Sequence, residues 1–440
     1  MILAVIAGVA FVSTWITGWR LDLKSQEITQ IALLQIESRP SGAKIYLNGD
    51  LQGFTTPGRH EMGVGLADIK VSMDGYHDWT KQINLKATEV RWLNYIRLVP
   101  KEIKTTDILN LGIVDNVLVS PDKKWLMITQ PEGRNLKLVD IGDINNIKMT
   151  DFILPTNITG EKFSLLEWHK DSTFLLISND KGDIIRLDRR DAGVAINLSD
   201  EIKTSMTNVR FSGDENLVYG ITEGNLRRID IADKTISDPL IKSVSNFNYY
   251  NNRIIYVAKI ADSKTEVGVF QNNQKIVIKR FDDEESVNVR FSHYFYRDYM
   301  TIVHGEDILI LENPLAEKPK VVKELKFTSG VNALDVNSNG RFILAWRDGQ
   351  TVVYDIETNE TFKFNTGNST ERPRWFNEYH LSVIIDGVIT MMDFDGANKR
   401  SLVAGRNLPI LSGNQQFLLS IKNTEDGAKL QRSNMTVQQK

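Results

Sequence analysis

A polar turn followed by an apolar strand recurs eight times between residues 120 and 419. The strand of each copy opens with a large apolar side chain, and successive openings lie 36 to 49 positions apart, with a mean of about 42. The openings are Trp125, Phe174, Leu217, Ile254, Tyr299, Phe342, Leu381 and Phe417. A period of about 40–45 residues with several short strands per repeat is typical of the four-stranded blades of a β-propeller.

Aspartates form a second regularity. In five repeats an aspartate ends the third strand at the same register: Asp140, Asp188, Asp230, Asp355 and Asp393. The fourth, fifth and eighth repeats lack it. The last repeat is one strand short, and Thr106–Leu111, before the first repeat, can supply that strand and close the ring without an exposed sheet edge. We therefore expect an all-β fold with an eight-bladed propeller over residues 103–440, and seven blades are the alternative.

The first turn of the series, Ser120-Pro121-Asp122, resembles the Ser-Pro-Asp-Gly turn of WD-repeat-like and Tol-type propellers. The other seven turns depart from that pattern. The resemblance implies a propeller of this general kind.

A smaller β domain precedes the repeats. Ala43–Leu47 and Leu51–Phe54 flank an Asn-Gly turn, which accepts positive φ at low cost and predicts a hairpin. Further strands are expected at 67–73, 79–85 and 90–98. About five strands in this stretch are enough for a small β-sandwich.

The fixed points of this stretch read SRPSGAKIYLNG from Ser38, GFTTP from Gly53 and DGYHDW from Asp74. The segment 31–99 resembles the PEGA domain, a β-sandwich module of exported and membrane-tethered bacterial and archaeal proteins. Its glycines permit turns, Pro57 fixes φ and Tyr76 can plug one end of the sandwich. We interpret these positions as structural rather than catalytic: Pro40, Gly42, Ala43, Asn48, Gly49, Pro57, Gly75 and Tyr76.

The N-terminal segment predicts a single-pass membrane anchor. Ile2–Trp19 holds 18 residues without a charge, and a helix of that length reaches about 27 Å, near the hydrocarbon thickness of a bilayer. No basic residue precedes the run and no small-x-small site ends it, which favours an anchor over a cleaved signal peptide. The remaining alternative is a buried helix of a globular domain. We assign residues 1–19 to the anchor and 20–30 to a linker.

Two arguments about the orientation of the anchor oppose each other. Arg20 and Lys24 lie on its C-terminal side, which by the positive-inside rule favours a cytoplasmic C-terminus. Long domains, however, translocate largely regardless of charge. Together with the PEGA resemblance, this leads us to expect extracytoplasmic domains.

Composition excludes several classes of function. The 53 Lys and Arg nearly balance 56 Asp and Glu, so no basic excess is available to neutralise nucleic-acid phosphates. The absence of cysteine excludes disulfide scaffolds, thiol nucleophiles and cysteine-ligated metals.

Catalytic motifs are absent from the sequence: there is no Gly-x-Ser-x-Gly elbow, phosphate-binding loop, His-Glu-x-x-His site or complete dinucleotide fingerprint. The turn Asp393–Gly396 lacks most of a calcium loop, and Asp282–Glu285 is interpreted as a solvated loop between blades. No metal site or cofactor is predicted. Six histidines are scattered without metal-ligand spacing: His60, His77, His169, His293, His304 and His380.

One aromatic cluster is a candidate binding site. Tyr249-Tyr250 and Tyr294-Phe295-Tyr296 occupy the turn between first and second strands in the adjacent fourth and fifth repeats, and propeller geometry places both on one face. Exposed aromatic side chains are enriched at binding hot spots. The alternative is that they pack between blades.

The leading hypothesis is a non-enzymatic, membrane-anchored binding or scaffold protein that engages a protein or cell-envelope glycan through a propeller face. An extracytoplasmic hydrolase or lyase with its site in the propeller channel is the alternative. A cytoplasm-facing sensor, supported by Arg20 and Lys24 alone, is the third.

Overall fold

The computed structural model describes residues 19–22, 27–131, 134–260, 264–327, 330–367, 369, 371–406 and 408–437. The predicted all-β class is confirmed: this part of the chain holds forty strands and one short helix, α1 (Leu198–Ile202). Within the same residues, no helix has the length and apolar character needed to cross a membrane. The predicted anchor lies outside the described residues, except for the backbone of Trp19.

The first eight strands form two facing sheets. The strands are β1 (Trp19–Asp22), β2 (Glu27–Arg39), β3 (Lys44–Leu47), β4 (Asp50–Thr55), β5 (Gly58–Gly63), β6 (Gly65–Ser72), β7 (Trp79–Leu85) and β8 (Val90–Arg97). One sheet has β2 paired with β1, β5 and β8, and the other has the order β4-β3-β6-β7. β8 runs parallel to β2, whereas the other pairs are antiparallel.

A shared apolar core holds these sheets together as a sandwich. Leu34 of β2, Ile45 of β3 and Ile69 of β6 are almost fully buried in it, because alternate residues of a strand point to the same face. Two differences from the sequence-based expectation concern strands. β5 was missed because its sequence, GRHEMG, has almost no apolar side chains, and β1 with the start of β2 occupies part of the segment predicted to be a linker.

Eight four-stranded antiparallel sheets follow, which we number one to eight in chain order. Strand β9 (Thr105–Gly112) precedes them. Sheet one consists of β10 (Val117–Val119), β11 (Trp125–Ile128), β12 (Asn135–Asp140) and β13 (Lys148–Ile153), and sheet two of β14 (Phe163–Trp168), β15 (Phe174–Asn179), β16 (Ile184–Asp188) and β17 (Asp191–Asn197). Sheet three consists of β18 (Thr207–Phe211), β19 (Leu217–Thr222), β20 (Asn225–Asp230) and β21 (Thr235–Ile236), and sheet four of β22 (Val244–Tyr250), β23 (Arg253–Ile260), β24 (Lys264–Gln271) and β25 (Gln274–Phe281).

Sheets five to seven repeat this plan, and sheet eight recruits β9 as its outer strand. Sheet five consists of β26 (Val287–Tyr294), β27 (Arg297–His304), β28 (Asp307–Glu312) and β29 (Lys320–Lys326), and sheet six of β30 (Ala333–Val336), β31 (Phe342–Arg347), β32 (Gln350–Asp355) and β33 (Glu360–Asn365). Sheet seven consists of β34 (Arg374–Trp375), β35 (His380–Ile385), β36 (Val388–Asp393) and β37 (Arg400–Ala404), and sheet eight of β38 (Ile410–Leu411), β39 (Phe417–Thr424) and β40 (Gly427–Asn434) with β9.

Each sheet shares an apolar core with the next sheet, and the last shares one with the first. Leu126 of sheet one packs with Leu419 and Leu430 of sheet eight in one such cluster. The other clusters join the remaining neighbours in order. Eight sheets whose cores close on themselves are consistent with a β-propeller.

Two expectations can be compared with this arrangement directly. All eight predicted strand openings lie in the second strands of the sheets. The stretch predicted to supply the missing strand forms β9, in which Leu109 pairs with Leu430 of β40. The pairing covers the edge of β40, which would otherwise be free to pair with another chain.

Candidate functional sites at the domain junction and the aromatic turn

Most of the residues interpreted as structural lie in turns of the sandwich. Asn48 and Gly49 have positive φ of 50° and 91°, as a two-residue hairpin turn between β3 and β4 requires. Ala43 is fully buried beside β3. Pro40 follows β2, and Pro57 separates β4 from β5. No side chain among these five has a reactive group.

Tyr76 links the sandwich to the end of the chain. Its ring is buried in the sandwich core, and its hydroxyl accepts a hydrogen bond of 2.7 Å from the backbone N–H of Val437. Gly75 has a φ of 83°, and a Cβ there would lie 3.2 Å from the Val437 side chain. Gly42 has a similar φ of 86°. The close approach explains why glycine suits position 75.

Trp79 connects the two domains through its indole. The side chain, at the start of β7, is 2% exposed, and its Nε1–H donates to Oδ2 of Asp393 at 2.9 Å. Asp393 ends the third strand of sheet seven, at the register predicted for these aspartates. A residue of the sandwich is thus bound by a residue of the propeller-like ring 314 positions later.

The equivalent aspartates have a different, local role. Asp140, Asp188, Asp230 and Asp355 each accept a backbone N–H from the turn that follows, at 2.9 to 3.0 Å. Aspartate commonly stabilises turns in this way. In sheet seven, the same position in the repeat binds the neighbouring domain.

Lys81 adds an ion pair next to this contact. Its ammonium lies 2.7 Å from Oδ2 of Asp395 and donates to the Tyr95 hydroxyl at 2.9 Å. Burial by itself lowers the pKa of the Lys81 ammonium. The electrostatic interactions with Tyr95 and Asp395 are larger together, so the pKa of Lys81 is raised. Burial raises the pKa of Tyr95 to about 12. The Tyr95 ring also stacks on Tyr379, with centroids 5.5 Å apart.

His380 and Asp393 form a buried pair behind the tryptophan. Asn377 Oδ1 accepts the N–H groups of Tyr379 and His380, so it is an acceptor and the His380 Nδ1, 2.9 Å away, carries a hydrogen. The unprotonated Nε2 therefore faces Oδ1 of Asp393 at 3.4 Å. Burial lowers the pKa of His380 to about 3 and raises that of Asp393 to about 6. His380 is therefore neutral, and Asp393 is the group of the pair that takes up a proton on acidification.

Backbone contacts complete the junction. Asn398 accepts the N–H of Thr80 and donates to its carbonyl, both at 3.1 Å, and Arg400 donates to the carbonyl of Asp78 at 2.8 Å. Val99, which follows β8 at the end of the sandwich, is buried among side chains of sheets seven and eight. The sandwich is therefore packed against the ring rather than tethered to it.

Three of the five candidate aromatic residues lie between sheets. Tyr249 stacks on Tyr219 at 5.6 Å, and its hydroxyl accepts the N–H of Gly213 at 3.0 Å, in sheet three. Tyr250 packs on Phe291 of sheet five at 5.5 Å. Tyr294 donates to a carboxylate oxygen of Glu357 at 2.9 Å, beyond β32 of sheet six. These contacts correspond to the packing alternative.

Phe295 and Tyr296, the other two candidate aromatic residues, face solvent. They form the two-residue turn between β26 and β27 and are 67% and 95% exposed. Phe295 has a φ of 53°, whereas the same turn in sheet four uses Asn251-Asn252, with φ of 49° and 59°. The ring of Tyr294 meets that of Phe295 edge to face at 4.7 Å. We call Phe295-Tyr296 the aromatic turn.

In the described part of the chain, no group of three or more His, Cys, Asp or Glu side chains is placed so that it could hold a metal ion. Asp393 and Asp395, which begin the turn once compared with a calcium loop, are engaged by the sandwich instead. Asp282–Glu285 lies between β25 and β26, that is, between sheets four and five.

The junction residues were missed by sequence reasoning. The sequence places Trp79 in a strand and Asp393 at the end of a repeated third strand, and no local pattern joins positions so far apart. The second carboxylate of Asp393-Phe394-Asp395 is not distinctive, because Asp355-Ile356-Glu357 has one at the same spacing.

Comparison with known proteins identifies the sandwich. Residues 31–101 match the PEGA domain family, and the match does not extend into the eight sheets. No curated protein matches the chain by sequence.

Solved structures with a similar architecture are distant in sequence. They include a dihydro-heme d1 dehydrogenase, NirN, in complex with DHE, at 12% identity and a TM-score of 0.48, over 67% of this chain and 66% of that chain. Kluyvelomyces marxianus Hsv2 has 10% identity and a TM-score of 0.44, over 74% and 100%. An oligogalacturonate lyase in complex with manganese has 10% identity and a TM-score of 0.40, over 74% and 99%. At such values these resemblances carry nothing about activity or ligands, and the family match is confined to residues 31–101, which are similar to the PEGA domain.

Proposed function

We propose that this chain is a membrane-anchored, extracytoplasmic binding or scaffold protein. In this proposal residues 1–19 anchor it, the PEGA domain and an eight-bladed propeller of the WD-repeat-like or Tol-type kind form one body, and the aromatic turn contacts a protein or cell-envelope glycan. The eight sheets with closed cores support the blade count, and the Ser120-Pro121-Asp122 turn supports the kinship.

The aromatic turn is the observation that carries this proposal. Two large aromatic side chains stand in water, where their apolar surface gains nothing from folding. Phe295 also adopts positive φ, which costs a bulky residue about 1–2 kcal/mol, whereas asparagine tolerates it. A surface that bears both costs is best explained by contact with a partner, because residues in sparsely populated backbone conformations cluster at functional sites.

The position of the turn supports the same reading. Tyr95 of the PEGA domain stacks on Tyr379, in the turn between the first and second strands of sheet seven. The aromatic turn is the equivalent turn of sheet five. In a ring of similarly oriented sheets, equivalent turns lie on one face. A ligand at Phe295 or Tyr296 would therefore bind the face on which the PEGA domain sits.

Site-specific photo-crosslinking tests this proposal. A photoreactive phenylalanine analogue in place of Tyr296, in the full chain in its native cells, should give a discrete crosslinked product. The same analogue in place of Asn251, at the equivalent turn of sheet four, is the matched control and should not. Equal products from both positions, or none from position 296, would contradict the assignment.

A further inference from the structure

A repeated tetrapeptide places two arginines at equivalent points of the ring. Asn-Val-Arg-Phe occurs at 208–211 and again at 288–291, in the first strands of sheets three and five. Arg210 pairs with Tyr219 and Arg290 pairs with Thr301. Tyr219 and Thr301 each stand two residues after the large apolar residue that opens the second strand of their sheet. The two arginines therefore occupy the same register in their first strands.

Two carboxylates occupy this register in other sheets. Glu167 of sheet two pairs with Leu176, and Asp335 of sheet six pairs with Leu344, again two residues after the opening. First strands of neighbouring sheets contact each other, as β14 does β18 and β18 does β22. In a propeller these strands line the central axis. Four charged side chains therefore lie at one level of the axis.

Sheet seven adds further positive charge. Arg374 begins its first strand, and Arg372 precedes that strand by two residues. Glu371 lies next to Arg372 and acts on Arg374, so four arginines and three carboxylates leave a net charge of plus one here, although the chain as a whole is slightly negative. The repeated tetrapeptide is the sequence signal that marks Arg210 and Arg290.

Two of these arginines, Arg210 and Arg290, make no direct ion pair with a described residue. Arg290 donates to its own strand, at 3.4 Å to Asn288 Oδ1 and 3.1 Å to the carbonyl of Val289. The buried Nε of Arg210 has no hydrogen-bond partner in the described part of the chain. The carboxylates accept backbone N–H groups at 2.9 Å instead, Glu167 from Phe211 and Asp335 from Val336. Guanidinium donors thus remain available.

The charges nevertheless share one electrostatic environment. Burial lowers the pKa of Arg290, Asp335 opposes this shift, and the positive charges of Arg210 and Arg372 add to it. Burial likewise raises the pKa of Asp335. Residues of sheets three, five, six and seven can influence one another only where those sheets converge. A partly buried, net positive convergence of guanidinium groups favours an anion, because the planar fork of arginine matches the oxygens of carboxylate and phosphate.

We propose that the axial ends of the first strands form an oxyanion-binding site, in which Arg210, Arg290 and Arg374 bind the phosphate or carboxylate group of a small anionic ligand. Glu167 and Asp335 limit the excess positive charge. This site is separate from the aromatic turn and does not rest on the proposed partner contact.

Titration calorimetry with the full chain in non-ionic detergent tests the site, with inorganic phosphate and glucuronate as probes. Wild type should bind at least one probe, and the stronger one distinguishes a phosphate ligand from a carboxylate ligand. Arg290→Gln and, separately, Arg374→Gln should weaken binding about tenfold, as expected for the loss of one charge-assisted hydrogen bond. Arg374 is solvent-exposed, so its variant remains informative if Arg290→Gln fails to fold.

Arg228→Gln is the matched control, because Arg228 is an exposed arginine on the third strand of the sheet that carries Arg210. It should bind the stronger probe like wild type. The proposal is overturned if wild type binds neither probe at low ionic strength. It is also overturned if Arg290→Gln and Arg374→Gln bind like wild type, or if Arg228→Gln weakens binding as much as they do.

Discussion

The Asp393→Asn substitution should change how the stability of the protein depends on pH. Burial raises the folded-state pKa of Asp393 from 3.8 to about 6, so the folded protein binds this proton more tightly than the unfolded chain does. The resulting stabilisation is fully present below pH 3.8 and is lost as the pH rises through 6. Neutral asparagine has no such titration, and its side-chain oxygen can still accept the indole N–H of Trp79.

The expected size follows from the two pKa values. A shift of about two units corresponds to about 3 kcal/mol, at 1.36 kcal/mol per unit. The free energy of unfolding of Asp393→Asn, relative to wild type, should therefore rise by about 2 kcal/mol between pH 4 and pH 7, because part of the full difference lies below pH 4. Urea unfolding followed by tryptophan fluorescence at a series of pH values measures this difference.

Asp140→Asn is the matched control for this experiment. Asp140 ends the third strand of sheet one at the same register, but it caps its own turn at Gly142 and does not touch the PEGA domain. Its variant therefore measures the loss of a turn cap alone, and Asp393→Asn is compared with it at each pH. A difference between Asp393→Asn and wild type that stays constant over the whole pH range would refute the argument that this carboxyl is buried and preferentially protonated.

Two further predictions concern the ends of the chain. Truncation before Ser412 removes β39 and β40 and leaves β9 and sheet seven with exposed edges and apolar surface, so the melting temperature in scanning calorimetry should fall sharply; an unchanged melting temperature would contradict ring closure by β9. Deletion of Met1–Trp19 should release the protein from washed membranes, because no other uncharged run is long enough to span a bilayer; retention at salt concentrations that screen surface charge would place the anchor elsewhere.

The repeat architecture could be predicted from the sequence because its signals are local. A turn followed by a large apolar residue, such as Trp125 or Phe342, marks a second strand wherever it occurs, and apolar periodicity needs no knowledge of distant contacts. The pairing of β9 with β40 could also be inferred, since a sheet one strand short needs a partner. β5 could not, because backbone pairing with β2, rather than its own composition, makes it a strand.

The candidate sites show the limits of the same reasoning. Sequence position placed Tyr250 and Tyr296 in equivalent turns, but packing decides that one ring lies against Phe291 and the other stands in solvent. The Trp79–Asp393 contact depends on how two domains dock, which no spacing encodes. The equivalence of Arg210 and Arg290 could be recognised only from strand pairing, which shows that the two residues stand at one level of the ring.

Co-sedimentation with cell envelope isolated from the native cells tests the proposed function most directly. A fragment of residues 27–440, which lacks the predicted anchor, should bind the envelope in a saturable manner. Phe295→Ser with Tyr296→Ser should weaken that binding at least about tenfold, since hot-spot aromatics commonly contribute about 2 kcal/mol or more each, and the melting temperature should not change because both side chains are exposed. Asn251→Ser with Asn252→Ser, the equivalent turn of sheet four, should bind like the unaltered fragment. Wild-type binding by the Phe295→Ser, Tyr296→Ser variant, or no binding by the unaltered fragment, would contradict a partner contact at the aromatic turn.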